Sequence, residues 1–317
     1  MASRVPRRDL GDSCGLAVNM ARMDGAGVSA RPVTTVSREA TATLCRASDT
    51  MTRREAASPL PRVPAGPILM VVSASGFTDG GSRAVSRHAI RVATYNIHRG
   101  RGLDGRVSLK RIADVLQQID ADVIGVQEVY EAQAELLARE LAMQLVTGIT
   151  VHRPDGAYGN AILTRLALRG VATFDLSVRA REARGGIRAD LAVQDQTLHV
   201  FNVHLGLRGR ERAEQVKWLV ERHILWDDRT GPRVVVGDLN EWFPPGRVGR
   251  ALRREFTSLR LRRTHPALLP LWALDRIYWD HAVHGESLRV HQTRVARVAS
   301  DHLPLVASLR LRATAPG

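Results

Sequence analysis

From His88 onward the chain alternates short β-branched runs with amphipathic stretches, the pattern of layered α/β folds. "IRVATYNIH" (90–98) predicts a strand. "SLKRIADVLQQI" (108–119) predicts a helix, with Ser108 as N-cap and apolar residues at Leu109, Ile112, Val115, Leu116 and Ile119 on one face. "DVIGVQEV" (122–129) reads as a second strand and "EAQAELLARELA" (131–142) as a second helix. "NAILTRLAL" (160–168) and "LHVFNVHL" (198–205) read as further strands, "ERAEQVKWLVERHIL" (211–225) as a third helix, and "PRVVVGDLN" (232–240) as a fully buried strand. A short helix over "VGRALRREF" (248–256) precedes three last strands, "ALDRIYWD" (273–280), "LRVHQTRV" (288–295) and "LPLVASLRL" (303–311). Several strands follow one another with no helix between them. Two packed sheets with helices outside therefore fit better than one doubly wound sheet.

Composition removes the first 87 residues from that pattern. Up to Arg87 the only aromatic residue is Phe77, whereas all five Trp and all four Tyr lie beyond it. A core needs large apolar groups, so residues 1–87, rich in Arg, Ser, Ala and Pro, are expected to be a disordered extension, and residues 88–317 the folded domain. Arg/Ser-rich character also suits a transit peptide, and "PILMVVSASG" (67–76) loosely suits a signal h-region, so targeting stays open beside a cytoplasmic expectation. That apolar run is too short to span a membrane.

Charge and cysteine content narrow the chemistry. Cys14 and Cys45 both lie in the extension, which leaves the folded part without a disulfide or a thiolate metal site. The net charge of +14 is almost wholly arginine, because Lys110 and Lys217 are the only lysines. Guanidinium groups match phosphate geometry, but an Arg-rich, Lys-poor chain also arises from biased codon usage.

One feature recurs along the folded part. Apolar strands run out into polar side chains that a strand core would not tolerate: Asn96 after "RVATY", Glu128 after "VIGVQ", His204 after "VFNV", and Asp238 with Asn240 after "VVVG". Taken singly, each has an ordinary structural reading: a turn residue for Asn96, Asp238 and Asn240, a helix N-terminal acid for Glu128, a packing residue for His204. The same holds for Asp301 and His302 in "ASDHLPLV", which could cap the turn into the last strand. Taken together with Asp275 in "LDRIYW", they predict a site at one set of strand ends. Carboxylates and amides without cysteine favour a hard divalent cation, Mg²⁺ or Mn²⁺, over zinc. Such an ion leaves coordination positions to water and to substrate phosphate, so phosphoester hydrolysis is the chemistry this set suggests.

The strings "ATYNIHRG", "VIGVQEV", "GNAILTR", "FNVHLG", "VVVGDLNEW", "LDRIYW" and "ASDHLPL", in this order and at about this spacing, resemble the endonuclease/exonuclease/phosphatase superfamily from about Ile90 to Leu311. The resemblance implies a four-layered α/β sandwich, two mixed β-sheets packed face to face with helices outside. It also implies roles. Glu128 would be the principal metal ligand, with Asn96 and Asp301 beside it. His302 would activate water or stabilise the pentavalent phosphorus, oriented by Asp275. Asp238 would stand at the nucleophile or second-metal position, Asn240 on a phosphate oxygen, and His204 at the leaving group.

Fold and motifs do not choose a substrate, because one constellation serves many phosphoesters. A phosphodiesterase or phosphatase is the preferred reading, one feature of the short superfamily members being "THP" (264–266). A DNA or RNA nuclease is the alternative, for which Arg99, Arg101, Arg188, Arg208 and Arg210 near the motifs argue. The intact set Glu128, Asp238, Asp275 and His302 opposes a non-enzymatic binding module. Nucleic acid and a membrane phospholipid head group stay open as partners, no exposed hydrophobic hairpin is legible, and no protein partner is inferable.

Overall fold

In a computed structural model the described residues are 89–224, 230–243 and 246–313. The expectations for residues 1–87 and their two cysteines lie outside them. Among the described residues, eleven strands form two mixed sheets. The first has the order β10-β11-β1-β2-β4-β3, built from β1 (Ile90–Asn96), β2 (Val123–Tyr130), β3 (Gln144–Arg153), β4 (Gly156–Thr164), β10 (Val283–Val290) and β11 (Leu305–Leu311). The second has the order β5-β6-β7-β8-β9, built from β5 (Leu168–Asp175), β6 (Gly185–Val193), β7 (Gln196–His204), β8 (Arg233–Asp238) and β9 (Asp275–Trp279). Only β1–β2 and β7–β8 pair in parallel; every other neighbour is antiparallel.

Three apolar layers hold four structural layers together. Val92, Val123, Val146 and Ile162 of the first sheet meet Ile187, Val200, Val234 and Ile277 of the second in the central layer. On the outer face of the first sheet, Tyr95, Ile124 and Leu163 pack against Ile112, Val115 and Leu116 of α1 (Leu109–Ile119) and Leu137 of α2 (Glu131–Leu141). On the outer face of the second, Phe201, Val235 and Tyr278 pack against Val216 of α3 (Gly209–Trp218) and Val248 and Leu252 of α4 (Arg247–Leu252). The central strands are covered on both faces, which is why they read as continuous apolar runs. Each fully buried aliphatic side chain contributes roughly 1.5–3 kcal/mol. The sheets approach so closely that a Cβ on Gly125 would lie 2.6 Å from Val236 Cγ2.

The α1 helix follows its periodicity, and Ser108 accepts from Arg111 N at its start. Four expectations need correction. "NAILTRLAL" is not one strand: β4 ends at Thr164 and β5 begins at Leu168 in the opposite sheet, so the apolar run spans a crossing between sheets. The third helix begins two residues before its expected start and is α-helical only to Trp218; Leu219–Ile224 continues as a π-helix, with Leu225 outside the described residues. "LRVHQTRV" leaves the sheet after Val290 and passes into a short helix, α5 (Ala296–Ala299). Strands β3 and β6 were not anticipated, because the tertiary structure buries their Thr, Gly, Arg and Asp residues. Among the described residues, no helix is long and apolar enough to cross a membrane.

Candidate active site

The topology explains why the polar strand ends converge. The parallel partners β1 and β2 finish on the same side of the first sheet, and β7 and β8 do so in the second. Strands β11 and β9 run antiparallel to their neighbours, so their beginnings lie beside the ends of β1 and β8: Thr94 pairs with Leu305 and Asp238 with Asp275. Asp301 and His302 immediately precede β11. A single edge of the sandwich thus receives all eight residues named from the sequence.

Local backbone geometry presents several of them. Glu128 sits at φ 54° where β2 bulges against β4, between Val126 and Val129, and is not a helix N-terminal acid. Bulges re-aim a side chain that a regular strand would send elsewhere. Asn202 of β7 braces this bulge from the opposite sheet. Its Nδ2 donates to Val126 O at 3.0 Å and Ala161 O at 2.8 Å, and its Oδ1 accepts from Gln127 Nε2 at 2.6 Å. Asn240 is also held at positive φ, 50°, with its backbone N–H donating to Asp238 Oδ1 at 2.9 Å. Gly237 has φ 145°, and a Cβ there would strike Val203 O at 1.9 Å. Only glycine can occupy this position immediately before Asp238.

Asp238 is the hub. Its Oδ2 accepts from Asn96 Nδ2 at 3.1 Å and lies 3.7 Å from both His204 Nε2 and His302 Nε2. Asn96 Nδ2 also donates to Glu128 Oε1 at 3.1 Å, and Asn96 O accepts from Ser300 Oγ at 2.8 Å, beside Asp301. Behind His302, Nδ1 meets Asp275 Oδ2 at 2.8 Å, and the same oxygen accepts from Thr264 Oγ1 at 2.5 Å. Burial works against a charge on His302, but Asp275, Asp238 and Asp301 outweigh it and raise the imidazole to about 10. Burial and then the Arg184 guanidinium push His204 the other way, down to about 3. His204 is fixed by Asn240 Nδ2 at 3.1 Å from Nε2 and by Arg184 Nη1 at 3.1 Å from Nδ1.

The carboxylate pattern fits a hard cation. Among the described residues, Glu128 has a neutral amide as its hydrogen-bond partner and no ion pair, and it is only half-buried. Asp301 is 34% exposed on its side chain; it accepts from Ser300 Oγ at 3.2 Å and lies 3.4 Å from His98 Nδ1 and 3.9 Å from His265 Nε2. Two sets of ionisable ligand atoms converge within 4.8 Å, His265/Asp301/His302 and Asp238/Asp275/His302. Glu128 stands outside both and joins the cluster through Asn96.

Four contributors were not legible in the sequence. Arg184 occurs in a string with no motif signal, Gln127 and Asn202 lie inside motif strings but read there as ordinary strand residues, and Thr264 stands out only as part of "THP". The expectation of no exposed hydrophobic hairpin is also corrected. His265 and Trp272 pair through their backbones and close a loop whose Leu268, Leu269 and Leu271 are exposed. Two prolines within "PALLPLW" hide it from a strand pattern. The loop adjoins the site, since the His265 and His302 rings are 4.7 Å apart.

With fold and geometry in view, the chain belongs to the endonuclease/exonuclease/phosphatase family, whose model matches residues 93–302. It is 31% identical over 247 residues to the Escherichia coli (strain K12) protein described as "Uncharacterized protein YbhP", covering 70% of this chain and 97% of that one. The fold is similar to that of an endonuclease/exonuclease/phosphatase from Beutenbergia cavernae DSM 12333, with a TM-score of 0.58, 23% identity, and 71% and 72% of the two chains covered. It is also similar to the Bacteroides thetaiotaomicron VPI-5482 mannosyl-6-phosphatase Bt3783, with a TM-score of 0.59, 19% identity, and 70% and 99% covered. The human Nocturnin catalytic domain matches with a TM-score of 0.57, 20% identity, and 71% and 94% covered. The family includes phosphatases, nucleases and phosphodiesterases, and its hydrolases act on phosphoester bonds.

Proposed function

We propose that this protein is a divalent-metal-dependent hydrolase of phosphoester bonds. The observation that carries the reading is the placement of Asp238 Oδ2 between two histidine Nε2 atoms, each 3.7 Å away, with the Asn96 amide at 3.1 Å. Such a carboxylate can orient and deprotonate a water while imidazoles on either side face the phosphorus substituents. Glu128, Asn96 and Asp301 would hold Mg²⁺ or Mn²⁺, oxygen ligands of the kind these ions take. When bound, the ion neutralises phosphate and leaving-group oxygens.

The protein's own groups supply the rest. His302, held by Asp275 and protonated near neutral pH, is a cation for the non-bridging oxygens. With its proton in place it is a poor base, which leaves the water to Asp238. Asn240 Nδ2, anchored on Leu205 O at 2.9 Å, is oriented beside His204 to contact a phosphate oxygen. Similarity to a phosphatase and to other family members supports phosphoester chemistry in general. A phosphodiesterase or phosphatase substrate is the reading; nucleic acid is the alternative that the same assay separates.

The test is turnover of p-nitrophenyl phosphate, bis-p-nitrophenyl phosphate and supercoiled DNA, each with Mg²⁺, Mn²⁺ or EDTA. Turnover that requires the ion is expected. Glu128→Gln keeps the shape and removes the charge, so activity should collapse with little change in melting temperature. Wild-type Mg²⁺ affinity in that variant would overturn the ligand assignment.

A further inference from the structure

Among the described residues, Arg184 contacts a site histidine from outside the motif strings. Its backbone is clamped: Leu176 N donates to Arg184 O at 2.8 Å, and Ser177 Oγ binds both Arg184 O (3.2 Å) and Arg184 N (3.1 Å). The side chain is 8% exposed, and Nη2 donates to Glu182 Oε2 at 3.0 Å. Glu182 in turn accepts from Arg153 Nη2 at 2.9 Å. Arg184, Gly185 and His204 line a small recess with Thr150, Tyr158 and Asn160. The guanidinium is therefore placed by its surroundings with Nη1 directed at His204 Nδ1.

Guanidinium and amide nitrogens only donate, so Arg184 at Nδ1 and Asn240 at Nε2 compete for the one ring lone pair of a neutral imidazole; a ring N–H set against the guanidinium cation is repelled more than one set against the neutral amide, so Nδ1 offers its lone pair. A neutral imidazole carries one ring proton, which must then sit on Nε2. Around Nε2 stand the Asn240 amide nitrogen at 3.1 Å, itself a donor, and Asp238 Oδ2 at 3.7 Å, too far to accept well. The Nε2–H therefore has no good acceptor among the described residues. An imidazolium would place a second N–H against Arg184 at 3.1 Å, in a buried position where like charges repel strongly.

Resting on the phosphoester reading above, we infer that Arg184 is a positioning residue that locks His204 as the neutral Nε2–H tautomer, reserved as a hydrogen-bond donor to the leaving oxygen of the substrate. As the P–O bond breaks, its electron pair stays on that oxygen and Nε2–H stabilises it without transferring its proton. Water supplies the proton afterwards. The low imidazole value, about 3, agrees with this arrangement. His204 and His302 would then have opposite duties: one is a neutral donor at the leaving group, the other a cation at the phosphoryl oxygens.

The direct test is ¹⁵N NMR of histidine-labelled protein at pH 7.5, with the His204 signals assigned by their loss in His204→Gln. An unprotonated Nδ1 and a protonated Nε2 are expected, and a protonated Nδ1 in the wild type would overturn the inference. Arg184→Ala should release the ring into tautomer exchange, and Arg184→Lys should restore much of the wild-type pattern. In turnover, Arg184→Ala should lose about 10²-fold on a phenyl ester, in the range for removing one oxyanion donor, and markedly less on the matching p-nitrophenyl ester. Equal losses on both esters, at wild-type melting temperature, would remove the leaving-oxygen role. Absence of turnover by the wild type on every ester would sink the hydrolase reading and the leaving-oxygen role with it, while the nitrogen spectrum would still decide whether Arg184 holds the ring.

Discussion

His302 and His204 place the same atom, Nε2, at the same distance, 3.7 Å, from the same oxygen, Asp238 Oδ2, and both rings are buried. They differ in what stands behind Nδ1. An aspartate supports His302 at 2.8 Å, and an arginine supports His204 at 3.1 Å. Against burial, Asp275, Asp238 and Asp301 raise His302 to about 10, whereas burial first and then the Arg184 guanidinium lower His204 to about 3. Burial opposes the charge in both cases, so the partner behind the ring decides the outcome. A histidine's role in a site is thus written in its second neighbour, a residue that need not touch the substrate.

The largest effect is expected from removing the acid-supported side. His302→Ala should lower turnover by about 10²- to 10³-fold at an unchanged fold, the range for removing one preorganised electrostatic stabiliser. Near-normal turnover would return "ASDHLPLV" to a turn-capping role. Asp275→Asn should lose somewhat less, and the double variant should be hardly worse than His302→Ala, because groups acting as a unit are not additive. Multiplicative losses in that cycle would separate the two residues.

Smaller effects should appear in stability against pH, measured by thermal melting in EDTA. The unfolded chain has an ordinary imidazole near 6.5. For His302, with its folded value raised to about 10, the contribution is complete below about pH 6.5 and is lost as pH rises toward 10. For His204, with its folded value lowered to about 3, the unfolded chain takes up a proton that the folded chain refuses, so stability falls as pH drops below about 6.5 toward 3. His302→Gln should flatten the alkaline slope and His204→Gln the acid slope. The reverse pairing would break the comparison.

The smallest and most local effect concerns the bulge that presents Glu128. Asn202→Ala removes the side-chain donor to Val126 O and Ala161 O and one acceptor of Gln127 Nε2, which keeps Thr94 Oγ1 at 3.0 Å; the cost is about 1–3 kcal/mol for each buried polar group left unmade, partly relieved by relaxation. A lower melting temperature with weakened Mg²⁺ binding is expected. Unchanged metal binding would show that the bulge holds Glu128 without this brace.

The sequence by itself determined the strand-end residues, because a polar group at the end of an apolar run is a local signal, and ordered motifs such as "GDLN" and "SDHLP" add up along the chain. It also determined α1, whose apolar spacing is strong, and the α/β sandwich that the motif order implied. Tertiary structure decided what no local pattern carries. Which strand changes sheet after Thr164 depends on long-range pairing, since both sides of the crossing are equally apolar. Gln127 and Asn202 look like misplaced polar residues until the opposite sheet supplies their partners. Arg184, one of many arginines in the chain, becomes a site residue only because the fold brings it 3.1 Å from His204, twenty residues away. Side-chain chemistry is local to a residue, but the field that sets its protonation comes from neighbours that only folding assembles.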